Sequence, residues 1–284
     1  MAENAQIKTT LSEPPRWGLA LSGGGARGAY QYGVWKVLRT TPLMEHMGVM
    51  GGTSIGAINT VLFLQEWVTG EELARIFWEE LDLSHVFAAV PPGKQDLVAF
   101  DYLRLGWDGL QNLGVRIDPL KEWLRTYVHL EELAHSGIVV WANSWDLFRV
   151  REEARRYPGC DPETFLEWVM GSASFPLFGP HRYKGHYLLD GGIANNLPLH
   201  LVFSEPDIDQ VLAVDLGTFM RYHPRQLWHE KQYRSRVDYL RVGLDQPSPA
   251  AFSRSALNKM IERGEADAAS WWRSRQHATH SAAS

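Results

Sequence analysis

The chain of 284 residues is 45% hydrophobic and 21% charged, so it has the length and apolar content to bury a sizeable core without covalent staples. A formal charge of −5 excludes a global basic field for nucleic acid, and the single cysteine, Cys160, excludes an internal disulfide framework or a multi-cysteine zinc site. No stretch reaches the roughly 18–20 apolar residues that cross a bilayer; the longest, Ile55–Leu64, holds Asn59 and Thr60.

Residues 1–15 are polar and lack the apolar stretch of a secretory signal, which predicts a flexible lead-in and a cytoplasmic protein. Trp17–Leu21 is a short apolar run ended by Ser22 and three glycines, hence a buried strand, and Ala29–Leu38 follows with apolar residues at helical spacing. Gly48–Met50 predicts a second strand, Ile55–Val68 a second helix and Glu71–Leu81 a third. Strand, glycine-rich turn and helix, used twice in succession, is the rhythm of an α/β fold on a mostly parallel sheet. From Ser84 to Gly114 the pattern loosens into an excursion over the core. Asp118 is then expected to cap a helix through about Val128, with Pro119 at its first position.

Ile138–Ala142 predicts a strand and Leu147–Val150 its pairing partner, while Asp161-Pro162-Glu163 opens a helix to about Ser172. Further strands are expected at Tyr187–Leu189, Val211–Leu216 and Val237–Val242, and a closing helix from Ser253 to about Arg273. No Gly/Ser/Pro linker divides these parts, so residues 16–275 read as one domain and 276–284 as a flexible tail.

Two glycine turns carry the chemistry. In Ser22-Gly23-Gly24-Gly25-Ala26-Arg27-Gly28, main-chain N–H groups converge at a helix N-terminus, where partial positive charge favours an anion. Gly23, Gly25 and Gly28 also satisfy G-x-G-x-x-G, which leaves open a nucleotide-binding oxidoreductase. That reading wants an acidic residue ending the second strand, and the acid at the right distance, Glu45, precedes that strand. The second turn, Gly52-Thr53-Ser54-Ile55-Gly56, is G-x-S-x-G between strand and helix. Its sharpness projects the Ser54 hydroxyl outward, requires small residues at Gly52 and Gly56, and brings the Ile55 N–H near any oxyanion formed at Ser54.

A nucleophilic serine needs a base. Eleven histidines are present, and none sits in a glycine-flanked loop after a plausible acid, whereas Asp190 ends an apolar run and is followed by Gly191 and Gly192. No H-E-x-x-H or His/Cys cluster points to a metal, and no cofactor is expected. Trp107, Trp123, Trp228 and the Trp271-Trp272 pair are candidates for a lipid interface or for the core. Arg151, Arg155 and Arg156 form a small basic cluster, read as a solvated helix face or a head-group contact.

Taken in order, G-G-G-x-R-G, G-x-S-x-G and D-G-G resemble the patatin-like phospholipase family. The segments Gly171–Pro180, Asn196-Leu197-Pro198 and Ile261-Glu262-Arg263-Gly264 are similar to that family as well. The resemblance implies a three-layer α/β/α fold and a Ser–Asp dyad, with Ser54 as nucleophile and Asp190 as base. It also implies an oxyanion hole in the Gly23–Gly28 turn, formed by the N–H groups of Gly24 and Gly25 and assisted by Arg27. The implied substrate is a phospholipid or another fatty-acyl ester, with peripheral membrane contact. A non-catalytic lipid-binding protein of the same fold is the alternative.

Overall fold

The structure is a computed structural model that describes residues 14–94, 96–97, 99–112, 114–218, 223–243 and 245–282. Its sheet contains β1 (Trp17–Leu21), β2 (Met47–Thr53), β3 (Val139–Asp146), β4 (Arg151–Tyr157), β5 (His181–Tyr183), β6 (His186–Asp190), β7 (Gln210–Asp215) and β8 (Val237–Arg241). The spatial order is β5-β6-β3-β2-β1-β7-β8, with β4 also paired to β3. The run β3-β2-β1-β7-β8 is parallel, and β4, β5 and β6 join antiparallel.

The strands read as near-continuous apolar runs because both faces are covered. Leu19 and Leu21 of β1 point into the larger core, built with α1 (Gly28–Leu38), α2 (Ile55–Thr69), α7 (Pro162–Ser172) and the C-terminal α10 (Arg254–Ala282). Ala20 between them faces a smaller core that includes Leu199 and Val202 of α8 (Leu199–Val202) and is flanked by Tyr233 of α9 (Pro224–Tyr233). Period-two alternation along one strand thus feeds two helical layers, giving the expected three-layer α/β/α arrangement. On the larger side α10 crosses α1 at a pair of glycines: a Cβ at Gly33 would lie 2.1 Å from the Ile261 carbonyl, and one at Gly264 2.2 Å from that of Tyr30. Helix backbones approach this closely only where side chains are absent.

Several predicted elements change on inspection. Leu147–Val150 is a turn, and β4 is the strand that pairs with β3. The Asp146 carboxylate accepts the N–H groups of Phe148 and Arg149 at 3.2 and 3.1 Å, which folds the chain back before those apolar residues can extend. The three arginines Arg151, Arg155 and Arg156 therefore lie on a strand rather than a helix, and pair with Glu153 or Glu205. Residues 71–81 form only a short α3 (Leu73–Arg75) continued by a wide π-type turn over Ile76–Glu80.

Asp118 is the first residue of α5 (Asp118–Tyr127) and not its cap; Ile117 holds that position without a side-chain bond. Asp161 does cap α7, accepting the Thr164 N–H at 2.8 Å. The closing helix runs past Arg273 to Ala282, through most of the stretch expected to be a flexible tail. Residues 1–13 of the predicted lead-in lie outside the described residues. Within the 84–114 excursion stands a fourteen-residue helix, α4 (Ala99–Asn112).

Candidate active site

The site is assembled by the register of β3. Its edge pairs with β2 as far as Thr53 opposite Asn143, and the next residue, Ser144, pairs instead with Asp190 of β6. Since β4 occupies the other edge of β3 throughout this span, β2 and β6 share one edge and meet end to end. β2 is parallel to β3 and β6 antiparallel, so the C-terminal ends of both strands face each other across the junction. Ser54 follows one end and Asp190 closes the other, 136 positions apart in sequence.

Ser54 takes φ 57° and ψ −127°, backbone geometry that L side chains avoid and that marks a functional constraint. Two things hold it there. Its N–H donates to Ser172 Oγ at 2.8 Å, and the Ser172 hydroxyl itself donates to the Asn143 carbonyl. The two flanking glycines remove the alternative: a Cβ at Gly52 would lie 2.2 Å from the Gly56 carbonyl, and one at Gly56 2.3 Å from that of Leu21. The Ser54 side chain faces the Asp190 carboxylate closely enough to help hold it in its charged form. Asp190 is 5% exposed, and its Oδ1 also accepts the Gly192 N–H at 2.8 Å. Burial pushes its carboxyl up to about 6, although Ser54 and the Gly192 N–H pull the other way.

The first glycine turn stands against this pair: a Cβ built at Gly23 would lie 2.9 Å from that of Ser54. Of the residues expected to form an anion cradle, several have structural work. The Gly23 N–H donates to the Asn196 carbonyl at 3.1 Å, the Arg27 N–H to the Gly24 carbonyl at 3.2 Å, and the Gly28 N–H to the carbonyls of Gly25 and Ala26. Arg27, expected to assist the cradle directly, sends its buried guanidinium to four carbonyls instead: Pro247 at 2.7 Å, Leu216 at 2.9 Å, Gly217 at 3.1 Å and Gln246 at 3.2 Å. It clamps two loops onto the turn. The N–H groups of Gly24, Gly25 and Ile55 have no hydrogen-bond partner among the described residues. Gly191 packs against the Asn143 carbonyl beneath Asp190.

Asn143 was not singled out from the sequence, and Asn196 stood there only as part of the Asn196-Leu197-Pro198 string, without a role. The Asn196 amide donates to the Gly23 carbonyl and to Thr218 Oγ1, both at 3.1 Å, while its own carbonyl takes the Gly23 N–H. The Asn143 amide reaches the Asn195 carbonyl at 2.9 Å, which also accepts from the Thr53 hydroxyl. The available signals were a fully buried amide at the end of an apolar strand and the Asn-Leu-Pro string after Asp190. Deeper in this network the Asn195 amide donates to His200 Nδ1 at 2.7 Å, and His200 Nε2 faces Glu152 at 3.3 Å. Burial beside His229 and Arg225 lowers His200 to about 3, so it stays neutral. Among the described residues no histidine hydrogen-bonds to Ser54 or Asp190.

Above the pair opens a cavity of about 980 Å³, at the upper end of ordinary ligand pockets. Its floor holds Gly24, Gly25, Ser54 and Asp190; its walls are almost wholly apolar. The 84–114 excursion supplies much of one wall, through Val86, Phe87, Leu105 and Leu110 among others. The nucleotide reading of the glycine turn loses its partner group. Glu45 is exposed in a 3₁₀ turn before β2, at the opposite end of the parallel strands from Gly23–Gly28. Among the described residues no helix is long and apolar enough to cross a membrane, and no three His, Cys, Asp or Glu side chains are grouped to hold a metal.

The profile of the family described as Patatin-like phospholipase matches residues 19–203. Neuropathy target esterase sws of Drosophila melanogaster is 26% identical over 234 residues, covering 75% of this chain and 14% of that protein. Lysophospholipase NTE1 of Yarrowia lipolytica is 25% identical over 214 residues, covering 71% of this chain and 13% of that one. The chain thus spans a small fraction of the length of these curated relatives. Among solved structures, VipD from Legionella pneumophila superposes with a TM-score of 0.52 at 14% identity, covering 92% of this chain and 67% of that one. At that identity the likeness speaks to the fold alone.

Proposed function

The chain belongs to the patatin-like phospholipase family, and from that premise we propose that it is a lipid acyl hydrolase using Ser54 as nucleophile and Asp190 as base. The observation that carries this reading is the juxtaposition of the Ser54 side chain with a buried carboxylate on the floor of an apolar cavity, beside main-chain N–H groups that have no hydrogen-bond partner among the described residues.

The chemistry runs in two steps. As Ser54 Oγ attacks the ester carbonyl, its proton passes to Asp190, and the carbonyl oxygen becomes an oxyanion held by the N–H groups of Gly24, Gly25 and Ile55. Such donors, fixed before the reaction begins, contribute on the order of 3 kcal/mol each in serine hydrolases. Collapse of this intermediate expels the alcohol, which takes the proton from Asp190 and leaves Ser54 acylated. Water then attacks the acyl-enzyme with Asp190 again accepting the proton, and as the intermediate collapses Asp190 returns that proton to Ser54 Oγ and the fatty acid leaves. An unshifted carboxylate is a weak base for this task; burial that raises Asp190 to about 6 brings it closer to the working range. The apolar walls fit a fatty-acyl chain, so the substrate class is a phospholipid, lysophospholipid or related carboxylic ester.

Hydrolysis of a chromogenic fatty-acyl ester tests the proposal. Ser54→Ala and Asp190→Ala are each expected to lose activity by a factor on the order of 10³ or more, since the two groups act as a unit. Full activity in Asp190→Ala would refute the dyad.

A further inference from the structure

Helix α4 is built inside out. Leu103, Trp107 and Leu110 recur at i, i+4 and i+7 and form a stripe on its outer face, 71%, 62% and 77% exposed. The opposite face, Asp101, Leu105 and Asp108, is buried and carries two carboxylates. Both are satisfied inside the fold: Asp101 pairs with Lys94, and Asp108 accepts the Arg116 N–H at 2.9 Å and its Nε at 3.0 Å. A soluble helix turns its apolar stripe inward and its acids outward. Here the sequence does the reverse, burying two carboxylates that half-exposed cations must pair with, which implies that the stripe meets something other than water.

Its position says what. Leu110 is also a wall residue of the cavity, and so are Phe175 and Leu177, which are 45% and 60% exposed. The Val115 N–H donates to the Leu177 carbonyl at 2.8 Å, tying the chain just after α4 to that turn. The stripe therefore continues into the rim of the cavity. Arg104 is the charged side chain exposed on this face between Leu103 and Leu110. An apolar ridge with an interfacial tryptophan and a positive flank complements a lipid surface carrying anionic head groups.

We propose that the outer face of α4, with the 175–177 turn, docks on a phospholipid bilayer and opens the cavity onto it, so that an acyl chain passes from membrane to site without crossing water. The inference rests on reading the cavity as an acyl-chain site, but its test reads binding separately from catalysis. Flotation of the full chain with vesicles of phosphatidylcholine and phosphatidylglycerol is measured for the wild type, Ser54→Ala and the double variant Leu103→Ser/Trp107→Ser. Neither Leu103 nor Trp107 lines the cavity, and both are exposed, so the fold and the site are retained.

Ser54→Ala is expected to float like the wild type. The double variant is expected to partition on the order of 100-fold more weakly, since two large apolar side chains no longer leave water. Its hydrolysis of vesicle phospholipid falls in parallel, while its rate on a dissolved short-chain ester stays within about twofold. Equal partitioning of the double variant and the wild type would overturn the proposal, as would a wild type that does not float. Light scattering that shows a wild-type dimer falling to monomer in the double variant would overturn it too, since the ridge would then seat a second copy. Vesicle binding through the ridge with no ester hydrolysis would leave the docking surface standing and refute the catalytic reading.

Discussion

Ionising Asp190 places a charge where water is largely excluded, and that charge is what the proposed chemistry uses. With its carboxyl raised from 3.8 to about 6 in the fold, the native state holds a proton that the unfolded chain releases between those values. The contribution of Asp190 to stability is therefore fully present below pH about 4, declines as pH rises to about 6, and is lower by about 3 kcal/mol above that. Asp190→Asn keeps an acceptor for the Gly192 N–H without the charge. It is expected to raise stability above pH 6 by about 1–3 kcal/mol while abolishing hydrolysis, as denaturant melts and ester assays will show. In the wild type the acid limb of kcat/KM is expected near pH 6, because Asp190 must be ionised to take the serine proton.

Ser54 offers a companion experiment. Ser54→Gly and Ser54→Ala both remove the hydroxyl, but glycine tolerates φ 57° and alanine does not. The glycine variant is expected to be more stable by about 1 kcal/mol in urea, measuring the strain stored at the turn. The identity of both residues was legible in short glycine-flanked strings. Their adjacency was not, because it depends on which strand pairs with which. The task of Arg27 was hidden for the same reason: its partners are carbonyls about 190–220 positions away, and main-chain acceptors leave no trace in sequence.

At the scale of elements, those with strong local signals were readable. β1, α1, α2 and the Asp161-capped α7 lie close to where apolar periodicity and punctuation put them. The misreadings fall where a side chain outside the periodic pattern decides. Asp146 turned the Leu147–Val150 run into a bend, and α4 looked aperiodic because Leu105 on one face and Leu103, Trp107 and Leu110 on the other spread its apolar residues around the helix. The excursion expected merely to cover the core is a wall of the cavity, so it should set substrate length. Leu105→Trp, which extends a buried α4 residue into that space, is expected to lower the kcat/KM ratio of long-chain to short-chain esters by about tenfold. An unchanged ratio across an ester series would show that the chain lies elsewhere.

Across the molecule, α10 completes the larger core by lying along α1, and its Leu257–Trp272 stretch is thereby part of the fold. The Gly33–Gly264 crossing admits no side chain. Gly264→Val is expected to destabilise the whole domain by about 3 kcal/mol or more, read as a lowered midpoint in a thermal or urea melt that moves every probe together. A transition confined to α10 would show that the helix is an independent appendage. The layered architecture could be anticipated from alternating strand and helix patterns, but this crossing could not, since Gly264 within a helical run reads only as a weak helix former.

The end-to-end meeting of β2 and β6 along β3 has an evolutionary corollary. Loops around the junction can lengthen, shrink or be replaced wholesale, because none of them measures the gap between hydroxyl and carboxylate. The ladder does. Deleting Leu188 or Leu189 would draw the acid about 3.4 Å along its neighbour and swing it to the far side of the sheet, abolishing the proposed hydrolysis while leaving the three glycine motifs in place. Along this seam, a change in length is read directly as a change in the distance between Ser54 and Asp190.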